Sequence, residues 1–150
     1  MDDVTISGWA GAALSTYQDH VVAHVVGAAV LGHFVRDEAL HLVLDINFVW
    51  TIFVDGEMLL RHERLALSEL GLTDDERAAL EAEFDTLHDA AADAPPLSLT
   101  RRAPPGCTIK EVELYASGER RKLLVRGETS GLVVETDVGT GEIEVADLAG

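Results

Sequence analysis

The chain is poor in cysteine and in lysine. Cys107 is the only cysteine among 150 residues, which excludes an internal disulfide and a four-cysteine zinc site. Lys110 and Lys122 are the only lysines, and 11 basic residues stand against 27 acidic ones, a formal net charge of −16. Binding to nucleic acid rests largely on the neutralisation of phosphates by Lys and Arg. We therefore expect no nucleic-acid partner.

Long apolar runs and cofactor motifs are lacking as well. The most apolar stretch, 21–35, contains His24 and His33 and is too short to cross a bilayer, so no membrane partner is expected. The N-terminus, MDDVTIS, is acidic where a secretion signal is basic, which favours a cytoplasmic protein. There is no Walker loop, no GxGxxG and no G-x-S-x-G motif. The sequence therefore assigns no cofactor and no catalytic residue.

The acidity of the chain has three interpretations. It is typical of a GC-rich or salt-adapted source, whose proteins are acidic over their whole surface. It would also steer a basic protein partner towards the chain. A protein that mimics DNA is the third, but that function needs acidic residues aligned along one surface, which a sequence does not show.

The segment from Leu40 to Val54 has the clearest pattern in the chain. Every even position in it is large and apolar, and four odd positions are polar: His41, Asp45, Asn47 and Thr51. Alternation with a period of two predicts one long strand, about 40–54, with its apolar face in a core. The four polar side chains then form a row that could bind a ligand, and an Asp–His pair there could act as a general base. The simpler alternative is a polar sheet face exposed to water.

Two histidines are candidate metal ligands. His20 and His24 are four residues apart, which places them on one face of a helix and equally on one face of a strand. The metalloprotease motif needs Glu directly after the first histidine, and Val21 stands there instead. A looser site could add His33 or His41, but partly exposed histidines without a metal are the simpler interpretation.

Local patterns predict the order of the elements. Residues 9–19 read as a short helix, and the β-branched residues of 20–35 favour a strand with a bulge near Gly27, although a continued helix stays open. Residues 30–35 and 40–54 form a predicted hairpin, and Asp55-Gly56 predicts a tight turn at its far end. A short helix is expected over 63–70.

The segment that begins at Thr73 has the signals of a capped helix. Thr73 and Glu76 form a capping box, and Leu80, Phe84 and Leu87 make one apolar stripe that should cover a sheet. Pro95 and Pro96 stop the helix.

The C-terminal third of the chain is predicted to be a β-meander. Residues 93–106 contain two Pro-Pro pairs and read as a linker within one domain, 1–150, between an α/β N-terminal part and the meander. The predicted strands of this meander are 108–116, 121–126, 131–138 and 142–146. The expected fold is α+β, a mainly antiparallel sheet with two or three helices packed on one side.

The absence of a complete catalytic motif and the charge together favour a non-enzymatic function. We expect a small acidic cytoplasmic protein-binding module, an adaptor or an inhibitor of a basic partner, and a homodimer is a further expectation. The alternative is an enzyme or a small-ligand carrier that uses His41, Asp45 and Asn47, with or without a metal on His20 and His24.

Overall fold

The computed structural model describes residues 8–89 and 95–149, and this part of the chain forms two antiparallel sheets and three helices. Five strands make up the first sheet, which we call the hairpin sheet: β2 (Val30–Arg36), β3 (Ala39–Leu44), β4 (Phe48–Phe53), β5 (Met58–His62) and β6 (Arg101–Arg102). The strand order in this sheet is β5-β4-β3-β2-β6. The α+β class with mainly antiparallel sheet is confirmed.

The second sheet, the meander sheet, contains the C-terminal strands and one short N-terminal strand. Its members are β1 (Ala10–Ala12), β7 (Ile109–Ser117), β8 (Arg120–Gly127), β9 (Ser130–Asp137) and β10 (Glu142–Ala149). They lie in the order β1-β7-β8-β9-β10. Each predicted strand of the meander is found within a few residues of its predicted bounds.

The helices are α1 (Thr16–Val25), α2 (Glu63–Glu69) and α3 (Asp74–His88). The predicted capping box is confirmed, since Thr73 Oγ1 accepts a hydrogen bond from Glu76 N and the Glu76 carboxylate accepts one from Thr73 N. Ser15 and Gln18 form a second capping box at the start of α1. None of these helices is long and apolar enough to cross a membrane.

The prediction of one strand over 40–54 is wrong, because this segment is a hairpin of β3 and β4. Residues 45–47 form its turn, where Asn47 adopts a φ of +65°. Leu42 lies opposite Trp50 and Leu40 lies opposite Ile52. A turn of three residues preserves parity, so even positions stay on one face through the reversal. One long strand and this hairpin therefore have the same sequence pattern.

The N-terminal region also differs from its first interpretation. The chain is extended around Ala10–Ala12, where a helix was predicted, and the helix begins at Thr16. The alternative of a continued helix is correct for residues 20–25, and the predicted strand is correct from Val30 onwards. Gly27, with a φ of +95°, separates the two elements.

Two hydrophobic clusters pack on opposite faces of the hairpin sheet. The first joins the hairpin sheet, the meander sheet and α1, and includes Leu42, Trp50 and Val125. The second joins the other face of the hairpin sheet to α2 and α3, and includes Val43 and Phe84. Two helices, α2 and α3, therefore pack on one side of this sheet, in agreement with the prediction of two or three, and α1 lies on the opposite face.

A buried carboxylate joins α3 to the segment that follows it. Glu83 accepts hydrogen bonds from the backbone N–H groups of Ser98, Leu99 and Thr100. Burial opposes ionisation of Glu83, but these hydrogen bonds and that from the Thr100 hydroxyl outweigh it and bring the pKa to about 2. Residues 93 and 94 of the predicted linker lie outside the described residues, and the single-domain division stays a prediction.

Candidate functional sites

His41 and Thr51, two of the four residues predicted for a ligand site, form a buried pair. They lie opposite each other on β3 and β4, and His41 Nδ1 is 2.9 Å from Thr51 Oγ1. His41 Nε2 is 3.3 Å from the carbonyl oxygen of Arg36, which only accepts, so Nε2 carries the proton and Nδ1 accepts from the hydroxyl. The ring of Phe34 stacks on the imidazole, with the two ring centroids 4.8 Å apart. Both ring nitrogens are thus occupied inside the protein.

The environment of His41 favours the neutral imidazole. Burial lowers its pKa from 6.5 to about 4, against the opposing effect of the hydrogen bond to the Arg36 carbonyl. The positive charge of Arg61 lowers the pKa further, and Arg61 Nη2 also donates a hydrogen bond to Thr51 Oγ1. This arrangement is suited to holding the two strands and the arginine together.

Asp45 and Asn47 are not brought together with His41 in the same way. Both lie exposed in the turn between β3 and β4. Asp45 Oδ1 accepts a hydrogen bond from Ala29 N, and the carbonyl of Asn47 accepts one from Glu63 N. The predicted row of four polar side chains is therefore divided into a buried pair and two turn residues.

His20 and His24, the predicted metal pair, do lie together. They occupy one exposed face of α1, with their Nε2 atoms 3.3 Å apart and their ring centroids 4.6 Å apart. They line a cavity of about 430 Å³ between α1 and the β4–β5 strands. The remaining lining residues are mainly apolar: Tyr17, Val21, Ile46, Phe48 and Leu60. Within the described part of the chain, no cluster of three or more His, Cys, Asp or Glu residues could hold a metal ion.

An acidic strip runs along strands β9 and β10. Glu142 lies opposite Asp137 and Glu144 lies opposite Glu135, so the four carboxylates occupy one sheet face. Arg120 and Lys122 on β8 complete the two cross-strand rows, and both pair with Glu135. Among the residues described, no cation forms an ion pair with Glu142 or Glu144. The sheet therefore ends in two outward carboxylates on strand β10.

The other face of β10 borders an apolar cavity. This cavity, of about 270 Å³, lies between β10 and β2. Its lining is His33, Phe34, Val35, Leu99, Arg101, Ile143 and Val145. Val35 is 50% exposed and Leu99 is 47% exposed, so the cavity leaves apolar surface open to solvent. Burial, followed by the positive charge of Arg101, lowers the pKa of His33 and favours its neutral imidazole, so Arg101 is the charged group of this lining.

Strand β10 is a free sheet edge in the described structure. It pairs with β9 over eight residues, and it stands last in the strand order of the meander sheet. An unpaired edge presents a row of backbone N–H and C=O groups that can accept another strand. The sequence analysis missed this site, although the alternation of Glu142 and Glu144 with Ile143 and Val145 is its signal.

Cys107 does not belong to any of these sites. It is 2% exposed, and burial, with a smaller effect from the charge of Asp147, raises the pKa of its thiol. A thiol with a raised pKa is a poor nucleophile at neutral pH. Cys107 thus packs as a small apolar residue in the cluster between the sheets.

No protein family, no curated protein and no solved structure matches the chain.

Proposed function

We propose that this chain is a non-enzymatic protein-binding module that takes up an extended basic segment of a partner as an additional strand beside β10. The observation that carries the proposal is the free edge of β10, which has carboxylates on one face and an apolar cavity on the other. Strand addition gains affinity from backbone hydrogen bonds and gains specificity from alternate side chains.

The outward face of β10 specifies cations in the partner. A strand added at this edge would place its side chains next to Glu142 and Glu144, about 5 Å away in the pairing direction. Lys or Arg at two alternate positions would extend the rows Arg120–Asp137–Glu142 and Lys122–Glu135–Glu144. Opposite charges on neighbouring strands stabilise a sheet, whereas two adjacent carboxylates destabilise it.

The inward face of β10 specifies apolar residues between those cations. Ile143 and Val145 point to the cavity that also exposes Val35 and Leu99. Side chains of an added strand on this face would fill the cavity and remove that apolar surface from water. The expected partner segment therefore alternates cationic and apolar residues.

The same charges disfavour a second copy of the chain at β10. An identical edge would bring its own Glu142 and Glu144 against this acidic strip, so a homodimer would have to use another surface. The overall charge of −16 would also speed the approach of a basic partner, and added salt would weaken this attraction. The buried thiol of Cys107 is compatible with a reducing compartment such as the cytoplasm.

The alternative of an enzyme or ligand carrier at His41 has less support. Its imidazole is 1% exposed, and both ring nitrogens already have partners within the protein. A general base needs access to the proton that it removes. We therefore place the function at β10 and not at His41.

Binding of a synthetic strand tests the proposal. The probe is a fluorescein-labelled peptide in which Lys alternates with Val, compared with a peptide of the same composition whose lysines are contiguous. We expect the alternating peptide to bind more tightly in an anisotropy titration, and its affinity to fall as the salt concentration rises. Hydrogen exchange should show new protection of those backbone N–H groups in 142–149 that do not already bond to β9.

The control for this experiment separates local charge from net charge. Glu142→Lys with Glu144→Lys should abolish binding, whereas Glu81→Lys with Asp85→Lys makes the same charge change on the exposed surface of α3. Equal loss in both double variants would show that only the overall charge matters. Equal binding of the two peptides would likewise contradict strand addition.

A further inference from the structure

The histidine pair on α1 brings two potential metal ligands into contact. His20 and His24 lie one helical turn apart, and their Nε2 atoms approach to 3.3 Å at the edge of the 430 Å³ cavity. Both side chains are exposed, so an ion can reach them from solvent without a change in the fold. The proposed strand-binding function at β10 makes no use of this pair.

The separation of the two nitrogens matches tetrahedral zinc. Zinc–nitrogen bonds are about 2.0–2.1 Å long, and a tetrahedral angle between two of them places the nitrogens about 3.3–3.4 Å apart. An angle of 90°, as in octahedral coordination, would require a separation of about 2.9 Å for the same bonds. In the free pair the 3.3 Å contact is a hydrogen bond between the two rings, and an ion that replaced its proton would meet the nitrogens at a separation close to the tetrahedral one.

We propose that His20 and His24 bind one Zn²⁺ ion per chain through their Nε2 atoms, at the edge of the α1 cavity. Imidazole is a preferred ligand of Zn²⁺, while Mg²⁺ selects oxygen ligands. Two protein ligands leave two tetrahedral positions, which water fills. Such an open site binds more weakly than a closed structural site with four protein ligands, and its occupancy does not determine whether the chain folds.

The two imidazoles differ in their metal preference from the carboxylates elsewhere in the chain. A chain with 27 acidic residues would attract any divalent cation non-specifically. Excess Mg²⁺ would occupy such carboxylates but would not compete for the imidazoles. Zinc binding that persists in MgCl₂ is therefore the signature of the histidine pair.

Calorimetric titration of ZnCl₂ into the full chain, in the presence of excess MgCl₂, tests this assignment. We expect one ion per chain, and Co²⁺ in place of Zn²⁺ should give the intense visible absorption typical of tetrahedral coordination. His20→Ala and His24→Ala should each remove the binding event, since either change destroys the chelate. Circular dichroism should show an unchanged fold in both variants.

The matched control is His62→Asn, which removes another exposed histidine. His62 caps α2, where its Nδ1 accepts a hydrogen bond from Arg64 N, and asparagine also serves as an N-cap. This variant should bind one Zn²⁺ ion like the unmodified chain. Zinc binding that survives in His20→Ala or His24→Ala, that disappears in excess MgCl₂, or that requires two chains per ion would overturn the proposal.

Discussion

The two sheets of this protein differ in how many of their faces are buried. The hairpin sheet has a hydrophobic cluster on each face, and all six residues of β3 are buried, including His41. Among the described residues, the meander sheet has a cluster on its inner face alone, so buried and partly exposed residues alternate along β9 from Leu132. A polar group in the first sheet must be satisfied within the protein, whereas an outward polar group in the second, such as Glu144, stays in contact with solvent.

This contrast explains why the pattern of polar residues does not by itself locate a site. His41 was a candidate because it interrupts an apolar strand, yet it is 1% exposed and both of its ring nitrogens have partners within the protein. Glu142 and Glu144 look like ordinary surface residues in the sequence, but they end two cross-strand rows of charge at a free edge. A charged residue becomes a candidate binding group where the position beside it in the sheet is unoccupied. Three experiments compare the two sheets in this respect.

The largest expected effect is the loss of stability of the hairpin sheet in acid. His41 has a pKa of about 4 in the folded chain and about 6.5 when unfolded, so unfolding takes up a proton between these values. Its contribution is fully present above pH 6.5 and is lost as the pH falls towards 4, by about 3 kcal/mol in total. His41→Gln should flatten this part of the stability profile, measured by urea unfolding at intervals from pH 7 to pH 4.

An exposed histidine provides the comparison for this measurement. His20→Gln removes an exposed imidazole from the surface of α1 and is the control variant for the same series of urea measurements. Some slope should persist in His41→Gln, because burial also lowers the pKa of His33. If His41→Gln and the unmodified chain lose stability in parallel over this range, His41 is not held as a neutral imidazole in the folded protein.

Removal of the same two methyl groups from each sheet should have unequal consequences. Val43 on β3 is 0% exposed and packs against α2 and α3, whereas Val133 on β9 is partly exposed on the outward face. Val43→Ala should lower the free energy of unfolding by about 2 kcal/mol, from lost burial and the cavity left behind. Val133→Ala should cost under about 1 kcal/mol. Urea denaturation of both variants tests the comparison, and equal losses would show that the outward face is covered too.

Local signals predicted much of this fold correctly. These signals involve only residues that are close in sequence, so they can be recognised without the structure. They are the capping box of Thr73 and Glu76, the Asp55-Gly56 turn and the glycines between the meander strands. The hairpin of β3 and β4 was missed because a three-residue turn leaves the alternation unchanged. The sequence does not determine the extent of α1, because its valines favour a strand whereas the four-residue spacing of His20 and His24 fits a helix as well as a strand.

The candidate sites were less predictable because they depend on distant parts of the chain. The spacing of His20 and His24 was sufficient to place them on one face, but the cavity beside them needs Phe48 and Leu60 from the hairpin sheet. The acidic strip depends on the register of three strands. The cavity beside β10 combines Val35 with Val145, which are far apart in sequence. A local sequence pattern determines neither the register of these strands nor the packing of the two sheets against each other.

The smallest expected effect concerns an ion pair on the outward face of the meander sheet. Arg126 Nε donates a hydrogen bond to Glu113 Oε2 at 2.9 Å, and this bond is the main reason that the pKa of Glu113 lies below its usual value. Because both side chains are partly exposed, water and salt screen their attraction. A double-mutant cycle of Arg126→Ala and Glu113→Ala should give a coupling of about 0.5 kcal/mol that shrinks in high salt. A coupling of several kcal/mol, insensitive to salt, would mean that this face is as enclosed as the hairpin sheet, and it would remove the reason for placing the binding surface there.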